Sequence, residues 1–145
     1  MNQKPSLIAY FANKEVVKVA AGSYHSLAVT SDQTLYGWGF GKYGQTGTGD
    51  YVDTNSPKPC VAHYQDKTRQ VSIASFSQVI KRKEVALLSN KDDKIDQICA
   101  GGNHSMILME SGTMYAFGYG AHGQLGIGTV QNCNIPTLVK SFIPP

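Results

Sequence analysis

One 42-residue pattern occurs twice in this chain. Val16 to Pro57 aligns without a gap on Ile95 to Pro136 at a constant offset of 79, and 14 of the 42 positions are identical. The identities are Ala21/Ala100, Gly22/Gly101, His25/His104, Ser26/Ser105, Thr34/Thr113, Tyr36/Tyr115, five glycine pairs from Gly39/Gly118 to Gly49/Gly128, Gln45/Gln124, Asn55/Asn134 and Pro57/Pro136. These are turn formers and packing residues. A repeat of this size means that each copy is one supersecondary unit, which hides its apolar faces against its neighbours.

The local pattern inside a copy is that of short strands. Val16 to Ala21 is apolar and rich in Val, Gly22-Ser23-Tyr24 turns the chain, and His25 to Thr30 runs extended. Ser31-Asp32-Gln33 and Glu110-Ser111-Gly112 carry turn chemistry. Leu35-Tyr36-Gly37-Trp38-Gly39 and Met114-Tyr115-Ala116-Phe117-Gly118 then alternate bulky with small residues, which is the period of a strand. Beyond them glycines come too densely for a helix, where each would cost about 1 kcal/mol relative to Ala, so the stretch is a looped connection. Ser105 to Met109 is apolar on both alternate faces and is expected to be covered on each side. The small residues Ala20-Ala21-Gly22 and Cys99-Ala100-Gly101 suggest an innermost strand where several units converge. Repeated short strands with radial packing describe a β-propeller.

Composition excludes several classes. With 145 residues, 41% apolar and 16% charged, the chain has the make-up of one soluble globular domain. A net charge of +3, with Lys81-Arg82-Lys83 as its tight basic run, is too weak to predict nucleic acid. That run is retained as a partner-binding candidate. Three cysteines, Cys60, Cys99 and Cys133, form no C-x-x-C and fit a reducing compartment. The first residues lack the apolar core of a signal peptide, and no uncharged apolar stretch is long enough to span a bilayer. The expectation is an intracellular protein, cytoplasmic or nuclear, with no membrane partner.

The chemical motifs have structural explanations. Gly39-x-Gly41-x-x-Gly44 and Gly118-x-Gly120-x-x-Gly123 fit a phosphate-binding spacing, but further glycines follow where a dinucleotide site needs a helix. His25 and His104 recur without a recurring acid, and are expected to tie backbone groups together between strands. Cys60-Val-Ala-His63 lacks the further ligands of a closed zinc site. Tyr36, Trp38 and Phe40, matched by Tyr115, Phe117 and Tyr119, form an aromatic row assigned to packing between repeats rather than to base stacking. No catalytic residue, cofactor or metal is assigned.

At this point the residues resemble a known family. The run V-x-V-A-A-G-x-x-H-S-L-A-V-T with L-Y-G-W-G-x-G-x-Y-G-Q-T-G-x-G and Pro57, and its second form A-G-G-N-H-S-M-I-L-x-x-S-G-x-M-Y-A-F-G-x-G-x-x-G-Q-L-G-x-G, resemble repeats of the regulator of chromosome condensation family. Pro5-Ser6-Leu7-Ile8 resembles the tail of a preceding repeat, as Pro136-Thr137-Leu138-Val139 does in the second copy. The resemblance implies an all-β partial propeller: two four-stranded blades, a fragment of a seven-bladed architecture, with an insertion between them. The expected divisions are 1–15 (end of a preceding repeat or an N-terminal strand), 16–59 (first repeat), 60–94 (insertion) and 95–145 (second repeat and start of the next). Within the insertion, Phe76 to Ile80 and Val85 to Leu88 fit a short helix or an added hairpin. The structural repeat positions are Gly22, His25, Tyr36, Trp38, Gly39 and Gly44, and Gly101, His104, Tyr115, Phe117, Gly118 and Gly123. Copy two keeps the family pattern more fully through Gly112, Leu125 and Ile127 than copy one, which has Gln33, Thr46 and Thr48, so copy one is expected to sit at an edge or to be under weaker packing constraint.

The function implied is a non-enzymatic protein-interaction module, a scaffold or regulatory subunit whose protein partners supply further blades or cover open blade edges. The alternative is part of a guanine nucleotide exchange factor for a small GTPase of the Ran type, the activity of the founding member. A light-sensing branch of the family uses clustered tryptophans, and this chain has one Trp.

Overall fold

The computed structural model describes residues 4–63, 70–72 and 93–139. Strands β1 (Val16–Ala21), β2 (His25–Thr30), β3 (Leu35–Gly39) and β4 (Thr54–Pro59) form one antiparallel sheet in that order. A second sheet repeats the order with β7 (Ile95–Ala100), β8 (His104–Met109), β9 (Met114–Gly118) and β10 (Cys133–Leu138). Between them, β5 (Val61–His63) pairs antiparallel with β6 (Gln70–Ser72). The chain is all-β, built as two four-stranded propeller blades. The segments offered for a helix or hairpin, 76–80 and 85–88, lie outside the described residues, as do Lys81, Arg82 and Lys83.

Local chemistry explains each turn. The β1–β2 turn is closed by Gly22 N–H donating to the His25 carbonyl at 2.9 Å, and the β7–β8 turn by Gly101 N–H to the His104 carbonyl at 2.8 Å. After β2, the Asp32 carboxylate accepts from Thr30 Oγ1 at 2.5 Å and from Thr34 N–H at 3.1 Å, the self-bonding turn that aspartate favours. The next residue, Gln33, has φ +68°, where the second copy has Gly112 at +91°. Proline falls in β4 and β10, the outer edge strands, where a missing N–H costs no ladder bond. No helix among the described residues is long and apolar enough to cross a membrane.

The core lies between the two sheets. Leu27, Val29, Leu35 and Cys60 of the first copy pack with Ile95, Ile107, Met109, Tyr115 and Phe117 of the second. Cys60, which the spacing places at the start of the insertion, belongs to this core; its N–H donates to the Leu35 carbonyl at 2.9 Å. A smaller cluster of Ala116, Leu125 and Val139 lies beneath Met106 and Met114.

The structure refines two expectations about packing. Along β8 burial alternates: Ser105, Ile107 and Met109 are buried, whereas Met106 and Leu108 are only partly buried, so the face on which Met106 packs against Leu125 and Val139 is less fully covered than the other. Along β2 every residue except Ser26 is buried, so this strand is more fully covered than β8, whereas β1 lies at an open edge with Val19 73% exposed. Two elements cover β2: the second repeat packs on Leu27 and Val29, and on the outer part of the first blade Tyr10 and Phe11 pack edge-on against Tyr36, with Phe11 also meeting Trp38. Pro5 to Ile8, similar in sequence to a repeat tail, forms no strand.

Candidate interaction surfaces

The sequence repeats G-x-x-H because the glycine makes room for the histidine. A Cβ on Gly22 would lie 2.7 Å from His25 Nδ1, and one on Gly101 would lie 2.9 Å from the His104 ring. The two histidines nevertheless have different surroundings. His25 is buried, and its Nε2 lies 2.8 Å from Ser105 Oγ in the other copy. Ser105, at 0% exposure, donates its single hydroxyl proton to the Gln45 carbonyl at 2.7 Å. A carbonyl only accepts, so His25 must donate through Nε2–H, which leaves Nδ1 as a buried lone pair with no partner. Burial, and secondarily the proximity of His104, holds the His25 pKa below its ordinary value. The imidazole is therefore a neutral donor that bolts one repeat to the next, across the junction rather than between strands of its own sheet. Gln33 adds a second bolt, its Oε1 accepting Ile95 N–H at 2.8 Å. A third joins Gly49 N–H to the Asn134 carbonyl at 2.8 Å.

The G-x-G-x-x-G runs are part of this scaffold. Gly41 N–H donates to Asp53 Oδ1 at 2.9 Å, and Gly120 N–H donates to Asn132 Oδ1 at 3.0 Å, so the same loop closure recurs with Asn in place of Asp. The middle glycine packs against the backbone carbonyl of Val52 or Gln131, leaving no space for a Cβ. The amides that a phosphate would need are thus committed to the loop itself. Cys60 Sγ donates to the Thr46 carbonyl at 3.1 Å, and burial pushes its thiol far above the ordinary value. Among the described residues, no three His, Cys, Asp or Glu side chains gather to hold a metal ion.

The expected aromatic row divides in two. Tyr115 and Phe117 are buried in the junction, and Tyr36 and Trp38 meet the N-terminal segment. Phe40 and Tyr119 leave the strand face, because Gly39 and Gly118 before them adopt φ +103° and +110° and break the alternation. They join a row that the strand pattern did not show: Tyr24–Phe40–Tyr43–Tyr119–His122, with successive ring centroids 6.4, 5.8, 4.8 and 5.6 Å apart, all edge-on. The row crosses from one repeat to the other at the loop end of the sheets. Tyr24 is 74% exposed and His122 is exposed, while Phe40, Tyr43 and Tyr119 are partly covered. An open groove of about 710 Å³ flanks it, bounded by Tyr24, Phe40, Asp53 and Asn55. Tyr24, Tyr43 and His122 were not singled out in the sequence; the signal available was that Tyr43 and His122 share one repeat position.

The sequence profile for the "Regulator of chromosome condensation (RCC1) repeat" matches residues 32–80 and 111–143, and a second profile of the same description matches 16–45 and 95–124. The ultraviolet-B receptor UVR8 of Arabidopsis thaliana is 28% identical over 138 residues, 95% of this chain and 25% of that protein. The X-linked retinitis pigmentosa GTPase regulator of Homo sapiens is 30% identical over 144 residues, 98% of this chain and 11% of that protein. The chain thus spans a small part of the length of these relatives. The crystal structure of Prp20p from Saccharomyces cerevisiae, studied for its binding to Gsp1p and histones, superposes with a TM-score of 0.54 at 23% identity. It shares 88% of this chain and 26% of its own. At that identity the likeness speaks for the fold. The profiles, the relatives and the doubled His-Ser pair in the sequence agree, and the chain belongs to the regulator of chromosome condensation repeat family.

Proposed function

We propose that this chain is a non-enzymatic protein-interaction module that acts as a scaffold or regulatory part of a larger assembly, and that the aromatic row at the loop end of its blades is the recognition surface. The observation that carries the reading is that row. Five rings cross the repeat junction with their faces partly bare, and exposed tyrosines of this kind supply contact area at small entropic cost. The polar groups nearby are mostly engaged: Asp53 closes a loop and Asp50 pairs with Lys58. That leaves a surface suited to holding a protein. The double substitution Tyr24→Ser with Tyr119→Ser tests it. Proteins captured by the native chain are expected to be lost from the variant at unchanged unfolding midpoint, and an unchanged partner set would overturn the assignment.

A second reading, part of an exchange factor for a small GTPase, is supported by the similarity to the retinitis pigmentosa GTPase regulator. Acceleration of labelled GDP release from a Ran-type GTPase, abolished by the same double substitution, would favour it over a passive scaffold.

A further inference from the structure

The aromatic row offers a partner rings and hydroxyls, while the backbone donors along it are spent. Phe40 N–H donates to the Tyr24 carbonyl and Tyr119 N–H to the Asn103 carbonyl, both at 2.8 Å. Tyr43 N–H donates to Gln45 Oε1 at 3.0 Å and His122 N–H to Gln124 Oε1 at 2.9 Å. The Gly41 and Gly120 amides close their own loops. A partner strand therefore finds no row of free amides to pair with. The hydroxyls of Tyr24, Tyr43 and Tyr119 make no hydrogen bond among the described residues, so three donors remain for a ligand. Nor is the row an unfinished end of the blade stack. Tyr43 and Tyr119 each have a ring neighbour on both sides, one of them in the other repeat, and both stay half-exposed.

We propose that the row binds a proline-rich segment of a partner protein in the polyproline II conformation. The inference rests on the reading of the row as the recognition surface, and it names what that surface recognises. A polyproline II segment carries carbonyls that no bond within it satisfies, and its prolines bring no N–H that would need an acceptor. That is the complement of a surface with hydroxyl donors to give and its own amides committed. Successive rings meet edge-on, 4.8 to 6.4 Å apart, so the row presents ridges and notches rather than a flat stack, and pyrrolidine rings pack against such aromatic faces. The segment is extended and stiff before it docks, so binding costs it little chain entropy. A helical partner has its carbonyls bonded internally and would leave the three hydroxyls with little to donate to.

The probe is decaproline, with a Gly-Ser peptide of equal length as the flexible control. Each is titrated into the full chain and followed through the backbone amides by two-dimensional NMR. Saturable shifts centred on Phe40, Tyr43, Tyr119 and His122 are expected with decaproline, and none with the Gly-Ser peptide. Tyr24→Ser combined with Tyr119→Ser is expected to weaken binding about tenfold or more. Should that variant fail to fold, Tyr24→Ser alone takes its place, because this side chain is 74% exposed, and a loss of about threefold is expected. No binding of decaproline, equal binding of the Gly-Ser peptide, or affinity unchanged in the variant would each overturn the proposal. Proteins captured through the row by a chain that does not bind decaproline would refute the proline-rich ligand alone and leave the recognition surface standing.

Discussion

Replacing Ser105 by Ala removes one oxygen and breaks two bonds at the centre of the repeat junction. Ser105 Oγ accepts from His25 Nε2 at 2.8 Å and donates to the Gln45 carbonyl at 2.7 Å, with all three groups buried. Alanine leaves a donor and an acceptor without partners, and each orphaned buried group costs about 1–3 kcal/mol. Losing the hydroxyl also removes its own desolvation cost, so the expected net loss is about 2–4 kcal/mol. Ser26→Ala is the matched control: same residue type, same strand position, half-exposed and without a bonded hydroxyl. Strand propensity and side-chain entropy cancel between the two substitutions, and the control is expected to cost no more than about 0.5 kcal/mol. Urea unfolding of dilute protein, followed by Trp38 fluorescence and far-ultraviolet circular dichroism, reads the difference. With m near about 2 kcal/mol/M, the midpoint of Ser105→Ala should fall by about 1–2 M at unchanged slope. Trp38 lies in repeat one, so a shift in its signal from a change in repeat two also reports cooperativity between the blades. Equal costs for the two serines would refute the junction as a source of stability.

Two further outcomes follow from the same contacts. His25 has a folded pKa held below its ordinary value of 6.5 by burial and then by His104, so the unfolded chain binds the proton more tightly. Stability is therefore full above about pH 6.5 and falls as pH drops from there towards the folded pKa; His25→Gln, which keeps a donor, should flatten that slope in pH-dependent thermal unfolding, and an unchanged slope would contradict the assignment. Gln33 holds φ +68° and spends its Oε1 on Ile95 N–H. Gln33→Gly relieves about 1 kcal/mol of left-handed strain but orphans an amide worth about 1–3, so calorimetry should show a lower melting temperature, and a raised one would mean that the inter-repeat bond contributes nothing.

The strands were legible because their determinants are local. Period-two alternation in 35–39 and 114–118, the Gly22 and Gly101 turns and the dense glycines after each third strand are properties of neighbours in sequence. The junction was legible only in part. That His25 and Ser26 recur as His104 and Ser105 says that both matter, but pairing His25 with Ser105 requires the sheets to be placed in space. The same gap shows in copy one. Gln33, Thr46 and Thr48 look like weak substitutes for Gly112, Leu125 and Ile127 when each copy is read alone. In the structure Gln33 bridges to the second repeat, and Thr46 and Thr48 bond each other at 3.2 Å inside a buried loop. The aromatic row was hidden for a different reason: left-handed glycines at the strand ends turn Phe40 and Tyr119 out of the face that alternation assigns them.

The positions at which the copies agree and differ divide by task. Identical pairs fall on turns and supply the junction through one member each: Gly22/Gly101 lie beside the histidines, and Ser105, Gln45 and Asn134 are the members of their pairs that bond across the repeats. The loop-end row is built where the copies disagree, with Tyr24 against Asn103, Phe40 against Tyr119 and Tyr43 against His122. A junction tolerates little variation, since its bonds are buried and an unpaired group costs more than a paired one gains. A loop tip meets solvent and carries no such penalty, so its side chains are free to differ from one repeat to the next. Recognition in this chain therefore belongs to the unequal residues, held at fixed spacing by the equal ones. Stacking identical frames brings Tyr43 and Tyr119 of different repeats to 4.8 Å, so the surface they form exists only while the junction is closed.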